Sequence, residues 1–174
     1  MGKSGIVIRV IITLLFFASL YFVEAGFCGS SVVAKYNGGF GTLDMKHYDV
    51  KMVQNVLSSM SETGVAVYKH YYLMDFIFIL CFGVFQIMLT RDVFSFERSK
   101  WITMIVCSIP ILRGICDMIE NAVLLWTLSA YPKISELAIS ISAKATSVKL
   151  MSIGIWILMI AIGLIWKVIL YLKR

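Results

Sequence analysis

Four stretches of the chain are longer and more continuously apolar than the helices of a soluble core. They run from about Ile6 to Val23 (IVIRVIITLLFFASLYFV), Tyr71 to Leu89, Trp101 to Leu128 and Leu150 to Leu172. Each approaches or exceeds the about 20 mostly apolar residues that a helix needs to cross the hydrocarbon layer of a bilayer. Arg9 stands close enough to the end of the first stretch for its guanidinium to snorkel. The pattern predicts an all-α polytopic membrane protein, a bundle of four transmembrane helices built as one membrane domain over residues 1–174. No Gly/Ser- or Pro-rich linker, internal repeat or low-complexity tract divides the chain.

Between the first two stretches the pattern changes. Tyr36-Asn37-Gly38-Gly39-Phe40-Gly41 reads as a flexible turn. Beyond it Thr42 or Asp44 can cap a helix, and Met45, Tyr48, Met52, Val53, Val56, Leu57 and Met60 recur at helical spacing along one stripe. An amphipathic helix over about 43–60 is therefore expected, with Gly64 suited to its end. It would lie on the outer membrane surface or cover the helix ends. Covering the bundle is the plainer role, and a partner-binding surface is the alternative. Pro132 similarly opens a second outer helix, Ser135 to Val148, which can run on into the fourth stretch.

Composition agrees with a lipid solvent. Hydrophobic residues make up 60% of the 174 and charged residues 15%, with a mean hydropathy of +0.88. That is more apolar side chain than an interior of this size can hold, so the excess faces lipid. The formal charge of +6 reports topology, because Lys and Arg flank the apolar stretches. Residues 1–9, 90–100 and 167–174 hold eight Lys/Arg in 28 residues, whereas 24–70 and 129–149 hold seven in 68. The denser group belongs inside. This places both termini and the Arg91–Lys100 loop in the cytoplasm and the long first loop outside, with the plasma membrane as the expected membrane. No basic run is interleaved with aromatics, which argues against nucleic acid. The bilayer is the expected partner, and an oligomer is compatible with the pattern.

The first stretch admits a second reading. A short basic start, an apolar run and Val23-Glu24-Ala25 resemble a secretory signal with its cleavage site. Glu24 beside the cut and the length of the run favour an uncleaved anchor. Lipoprotein processing fails because Phe27 precedes Cys28, and myristoylation fails because Ile6 stands where Ser or Thr is required. The four cysteines form no CxxC and read as small apolar side chains.

Charges inside the stretches invite a functional hypothesis, since they are costly in lipid and turn towards a bundle interior. Asp75 lies about one turn into the second. The third carries Arg113, Asp117, Glu120 and Asn121, which at i, i+4, i+7 and i+8 share one helical face. Arg113 can pair with Asp117 one turn away, and Pro110 frees a backbone carbonyl near Val106 with an expected kink. Glu24 ends the first stretch and Lys149 opens the fourth, so all four helices deliver a polar group to one level. The cluster Asp75, Arg113, Asp117, Glu120, Asn121 and Lys149 is the candidate binding site. Its acids outnumber its bases, so at least one carboxyl is expected to be protonated or water-exposed. His47 and His70 are each alone near the outer surface. No metal-ligand set, phosphate loop or nucleophile with a base is present, and no cofactor is implied.

The combination of Gly41-Thr42-Leu43-Asp44, Tyr68 and Asp75 at the second stretch, Asp117-x-x-Glu120-Asn121, Pro132 and Lys149 resembles a group of small four-span integral membrane proteins, mainly bacterial and uncharacterised. The similarity covers nearly the whole chain from Gly38 onward and implies a shared architecture centred on these acids. It implies no activity, because none is attached to the group. Four-span sterol isomerase and sigma-2-type proteins are similar in outline, but their acids do not align with these residue by residue. Vitamin K epoxide reductase-like chemistry requires the missing CxxC. Three functions follow in order: a structural or accessory membrane protein held by the polar cluster; a protein binding or transporting a lipid or amphipathic small molecule; and a lipid-modifying enzyme using Asp117 and Glu120 as proton donor and acceptor.

Overall fold

The computed structural model describes residues 3–44, 46–96 and 100–173, and among them the regular structure is entirely helical. Four helices are long and apolar enough to cross a membrane. The elements in chain order are α1 (Lys3–Ala25), α2 (Ser30–Tyr36), α3 (Val50–Ser58), α4 (Glu62–Val93), a short 3-10 turn (Phe94–Phe96), α5 (Lys100–Ala130) and α6 (Glu136–Leu172). Met45 of the expected stripe, and Arg98 and Arg174 of the basic flanks, lie outside the described residues.

Side-chain caps decide where the helices begin. Asp49 accepts from the Met52 amide at 2.8 Å, Ser61 from Gly64 at 3.1 Å and Ser135 from Ala138 at 3.4 Å, each satisfying an amide that the first turn leaves unpaired. The amphipathic helix between the first two spans is thus shorter than the apolar stripe suggested. It starts at Val50 because Asp49 is its cap, not Thr42 or Asp44. Gly64 does not end that helix; it sits in the first turn of α4, where a Cβ would stand 2.8 Å from Tyr36 Cβ. The Asn37–Gly41 turn is closed by Asn37, whose side chain bonds Gly41 at both its carbonyl and amide, at 2.6 and 3.0 Å. Gly38, Gly39 and Gly41 all take positive φ, which suits residues without a Cβ. At the other junction α6 runs unbroken from its Ser135 cap through the fourth span, and α5 passes through Pro110 as one helix.

The helices pack in chain order, α1 on α4, α4 on α5 and α5 on α6, with a smaller contact between α4 and α6. Phe16 of α1 stacks on Phe85 and Phe82 of α4, with centroids 4.4 and 5.2 Å apart. At one end of the same seam, Arg9 holds both carboxylate oxygens of Asp92 at 2.6 Å. Between α4 and α6, Trp156 Nε1 donates to Thr90 Oγ1 at 2.9 Å, and Gly163 lies against Val93 and Phe94.

The interior is layered. One apolar cluster, including Val33, Leu43, Val53, Tyr68, Tyr72, Leu124 and Ile139, sits at the end covered by α2 and α3. A second, formed by Val93, Phe94, Val106, Trp156 and Ile160, closes the opposite end. Between them the buried side chains are polar and charged, while Leu14, Met104, Ile115, Met151 and Ile165 face outward. This is the inverse of a water-soluble bundle, and it fits apolar surroundings.

Candidate functional site

The shared face of α5 turns inward. Arg113, Asp117, Glu120 and Asn121 are all buried, as are Asp75 on α4 and Lys149 on α6. Arg113 Nη1 donates to Asp117 Oδ2 at 2.8 Å and Nη2 to the Ile79 carbonyl at 3.2 Å. Its guanidinium lies 4.5 Å from the centre of the Phe82 ring, a favourable cation–π placement. Lys149 Nζ bridges two acids, reaching Asp117 Oδ1 at 3.1 Å and Glu120 Oε2 at 2.5 Å. Asn121 Nδ2 donates to Asp75 Oδ2 at 2.7 Å. All six residues singled out in the sequence therefore lie in one polar interior.

Seven more side chains belong to it. Thr146 Oγ1 donates to Glu120 Oε1 at 2.5 Å, and the Tyr48 hydroxyl lies 3.3 Å from the same oxygen and 2.6 Å from Ser142 Oγ. Burial, with the Glu120 charge beside it, holds the Tyr48 hydroxyl above the usual tyrosine range, so it remains a donor. Tyr71 donates to Asp44 Oδ2 at 2.9 Å. The Leu43 amide donates to the Tyr68 hydroxyl at 2.8 Å, and Tyr72 donates to the same oxygen at 3.0 Å. Three tyrosines of α4 thereby pin the Leu43–Asp44 turn over the bundle and carry Asp44 into its interior. Ser142, Thr146 and Lys149 stand at i, i+4 and i+7, a spacing that could have marked the inner face of α6. Asp44 stood out in the sequence only as a capping candidate and in the Gly41–Asp44 motif of the resemblance.

A cavity of about 280 Å³ opens beside this network. Asp44, Tyr71, Asp75, Arg113, Asp117 and Lys149 line its polar side, and Phe16, Leu20, Phe78, Phe82 and Ile153 its apolar side, with Glu24 at the margin. Glu24 is exposed and accepts from Ser30 Oγ at 2.8 Å. The main contacts of α1 are with α4 and α2, so no extensive helix–helix seam shuts the cavity between α1 and α6.

The polar cluster is unevenly satisfied. Both bases are committed, Arg113 to Asp117 and Lys149 to Asp117 and Glu120. Among the described residues, Asp44 Oδ1, Asn121 Oδ1 and Arg113 Nε have no hydrogen-bond partner. No group of three or more His, Cys, Asp or Glu side chains among the described residues is arranged to hold a metal ion. His47 and His70 are exposed, and His70 bonds the Ala66 carbonyl at 2.8 Å. No protein-family model, curated protein or solved structure matches the chain.

Proposed function

We propose that this chain is an integral plasma-membrane protein, with both termini cytoplasmic, that binds an amphipathic small molecule or lipid beside its buried polar cluster. The cavity carries this reading. A purely structural network has no need of open space, yet about 280 Å³ lies against Asp44, Asp75, Arg113, Asp117 and Lys149. Polar groups on one side and phenyl rings on the other suit a ligand with a polar head and an apolar stem. Asp75, Glu120 and Lys149 lie nearer the helix ends covered by α2 and α3, and the Lys/Arg distribution puts those ends outside. The ligand would thus enter from the outer leaflet, between α1 and α6.

A structural or accessory role is the second reading, favoured by the paired part of the cluster. Arg113, Asp117, Lys149 and Glu120 form linked ion pairs across α5 and α6, which fix one packing of these helices over others. The two readings divide the site, pairs for architecture and Asp44 with Asp75 for binding. A proton-exchanging enzyme has less support, because Asp117 and Glu120 both already hold Lys149. The resemblance to small four-span proteins contributes architecture alone.

Native mass spectrometry of the protein in mild detergent tests binding. Wild type should retain a small-molecule mass that Leu20→Trp and Ile153→Trp lose by filling the cavity. Identical spectra for all three would overturn the reading. Thermal unfolding should separate the two halves of the cluster, with Asp117→Asn and Glu120→Gln melting earlier and Asp75→Asn matching or exceeding wild type. An Asp75→Asn loss as large as that of Asp117→Asn would make Asp75 a structural residue.

A further inference from the structure

The charges around the cavity do not cancel, and the residue left over has a definite sign. Arg113 and Lys149 are both spent on Asp117 and Glu120. Asp44 and Asp75 also line the cavity, and neither has a basic partner among the described residues. Their hydrogen bonds come from neutral donors, Tyr71 for Asp44 and Asn121 for Asp75. Asp44 is only 7% exposed, and its Oδ1 has no partner among the described residues. An unpaired carboxylate in such a place is costly unless something supplies the missing charge and hydrogen bonds. Arg113 Nε is unpartnered too, but its guanidinium already faces the Phe82 ring and Asp117.

We propose that the cavity is selective for a cation, an alkylamine whose ammonium is received by Asp44 and Asp75 and whose chain lies along Phe16 and Phe78 towards the gap between α1 and α6. The proposal rests on the binding reading above and names its ligand class. An ammonium brings the N–H donors that Asp44 Oδ1 lacks and the positive charge that both acids lack. Phenyl faces beside the acids favour the same cation. A carboxylate or phosphate head would instead meet Asp44 and Asp75 with both nearby bases already engaged. The ammonium could come from a free amine or from an aminophospholipid, and the second would need to leave its phosphate outside the acid-lined end.

Thermal unfolding of the wild-type protein with octylamine, 1-octanol, octanoate or lysophosphatidylethanolamine, at one pH and salt concentration, tests this. Octylamine should raise the midpoint by roughly 3 °C or more, with 1-octanol and octanoate giving much smaller shifts. A comparable rise with lysophosphatidylethanolamine would keep the ammonium and identify a lipid as its source. Asp44→Asn and Asp75→Asn should each weaken octylamine binding roughly tenfold or more, and Glu62→Gln, at an exposed acid outside the cavity, should leave it nearly unchanged. Equal protection by 1-octanol would overturn the choice of a cation while leaving an amphiphile site in place. Protection by none of the four, together with wild type carrying no retained mass, would overturn the site itself. The four-probe comparison needs no variant, so it decides the question even if a substituted protein fails to fold.

Discussion

Glu120 and Lys149 meet inside the bundle at 2.5 Å, Oε2 to Nζ, and join α5 to α6 where both side chains are almost wholly buried. Lys149 also holds Asp117 at 3.1 Å. Removing one member of such a set strands the others away from water. Glu120→Gln should destabilise the detergent-solubilised protein by about 3 kcal/mol, at the low end for breaking a buried pair because Asp117 still answers Lys149. Lys149→Met should cost more, since it strands Glu120. The double variant should lose less than the sum of the two, and strict additivity in unfolding free energy would refute the coupling.

Two glycines of α6 should respond in opposite ways to a methyl group. At Gly163 a Cβ would lie 2.7 Å from Val93 Cγ1 and 2.9 Å from Phe94 Cζ, whereas at Gly154 it meets nothing within 4 Å. Gly163→Ala therefore forces the turn after α4 away and should cost about 1–3 kcal/mol. Gly154→Ala should be neutral or stabilise by up to about 1 kcal/mol, as Gly to Ala does inside a helix. Equal melting points for the two variants would mean that α6 and the Val93–Phe94 turn are less closely packed.

Arg9 and Asp92 form a two-pronged pair between α1 and α4, but both side chains are about one-third exposed, at 34% and 37%. Solvent screening keeps such a pair weak. Arg9→Gln should lower the melting point slightly, with an effect that shrinks in high salt. Arg9→Asp should do more harm, and adding Asp92→Arg should recover part of it. No recovery in the exchanged pair would mean that the two charges act separately.

Tyr48 ties the segment before α3 to α5 and α6 through Glu120, Ser142 and Thr146. Tyr48→Phe should cost about 1–2 kcal/mol, and amide exchange should accelerate in Val50–Ser58 rather than in the long helices. The hydroxyl also predicts a pH effect. Its folded pKa is raised, so its contribution is complete below the unfolded value of about 10 and declines as pH rises through that value towards the folded one. Wild type and Tyr48→Phe should therefore converge in stability at high pH; a constant difference would contradict this.

Much of the polar interior was legible because a helix converts sequence spacing directly into direction. Arg113, Asp117, Glu120 and Asn121 had to share a face once α5 was a helix, and in lipid that face had to turn inward. The same rule could have selected Ser142 and Thr146 with Lys149. It could not select Asp44, because the path of the Asn37–Asp49 segment depends on contacts far away in sequence. Three tyrosine hydroxyls, the Asn37 clamp and positive φ at three glycines set that path. The apolar stripe overran α3 for a related reason. Tyr48 has the spacing of a helical residue, but its hydroxyl bonds the bundle from the turn before Asp49 caps the helix.

From sequence alone came four apolar helices and a set of acids and bases at one level, since local periodicity and side-chain solvation require no knowledge of neighbours. Beyond the Arg113–Asp117 pair, which lies within one helix at i,i+4, tertiary structure alone decided the pairing. It gave Lys149 to Asp117 and Glu120, set α1 against α4 rather than α5 or α6, and brought Asp44 to the cavity. Charge balance, open volume and the seams between helices are properties of which surfaces meet. Residues far apart in the chain determine them together, and no single helical period contains that information.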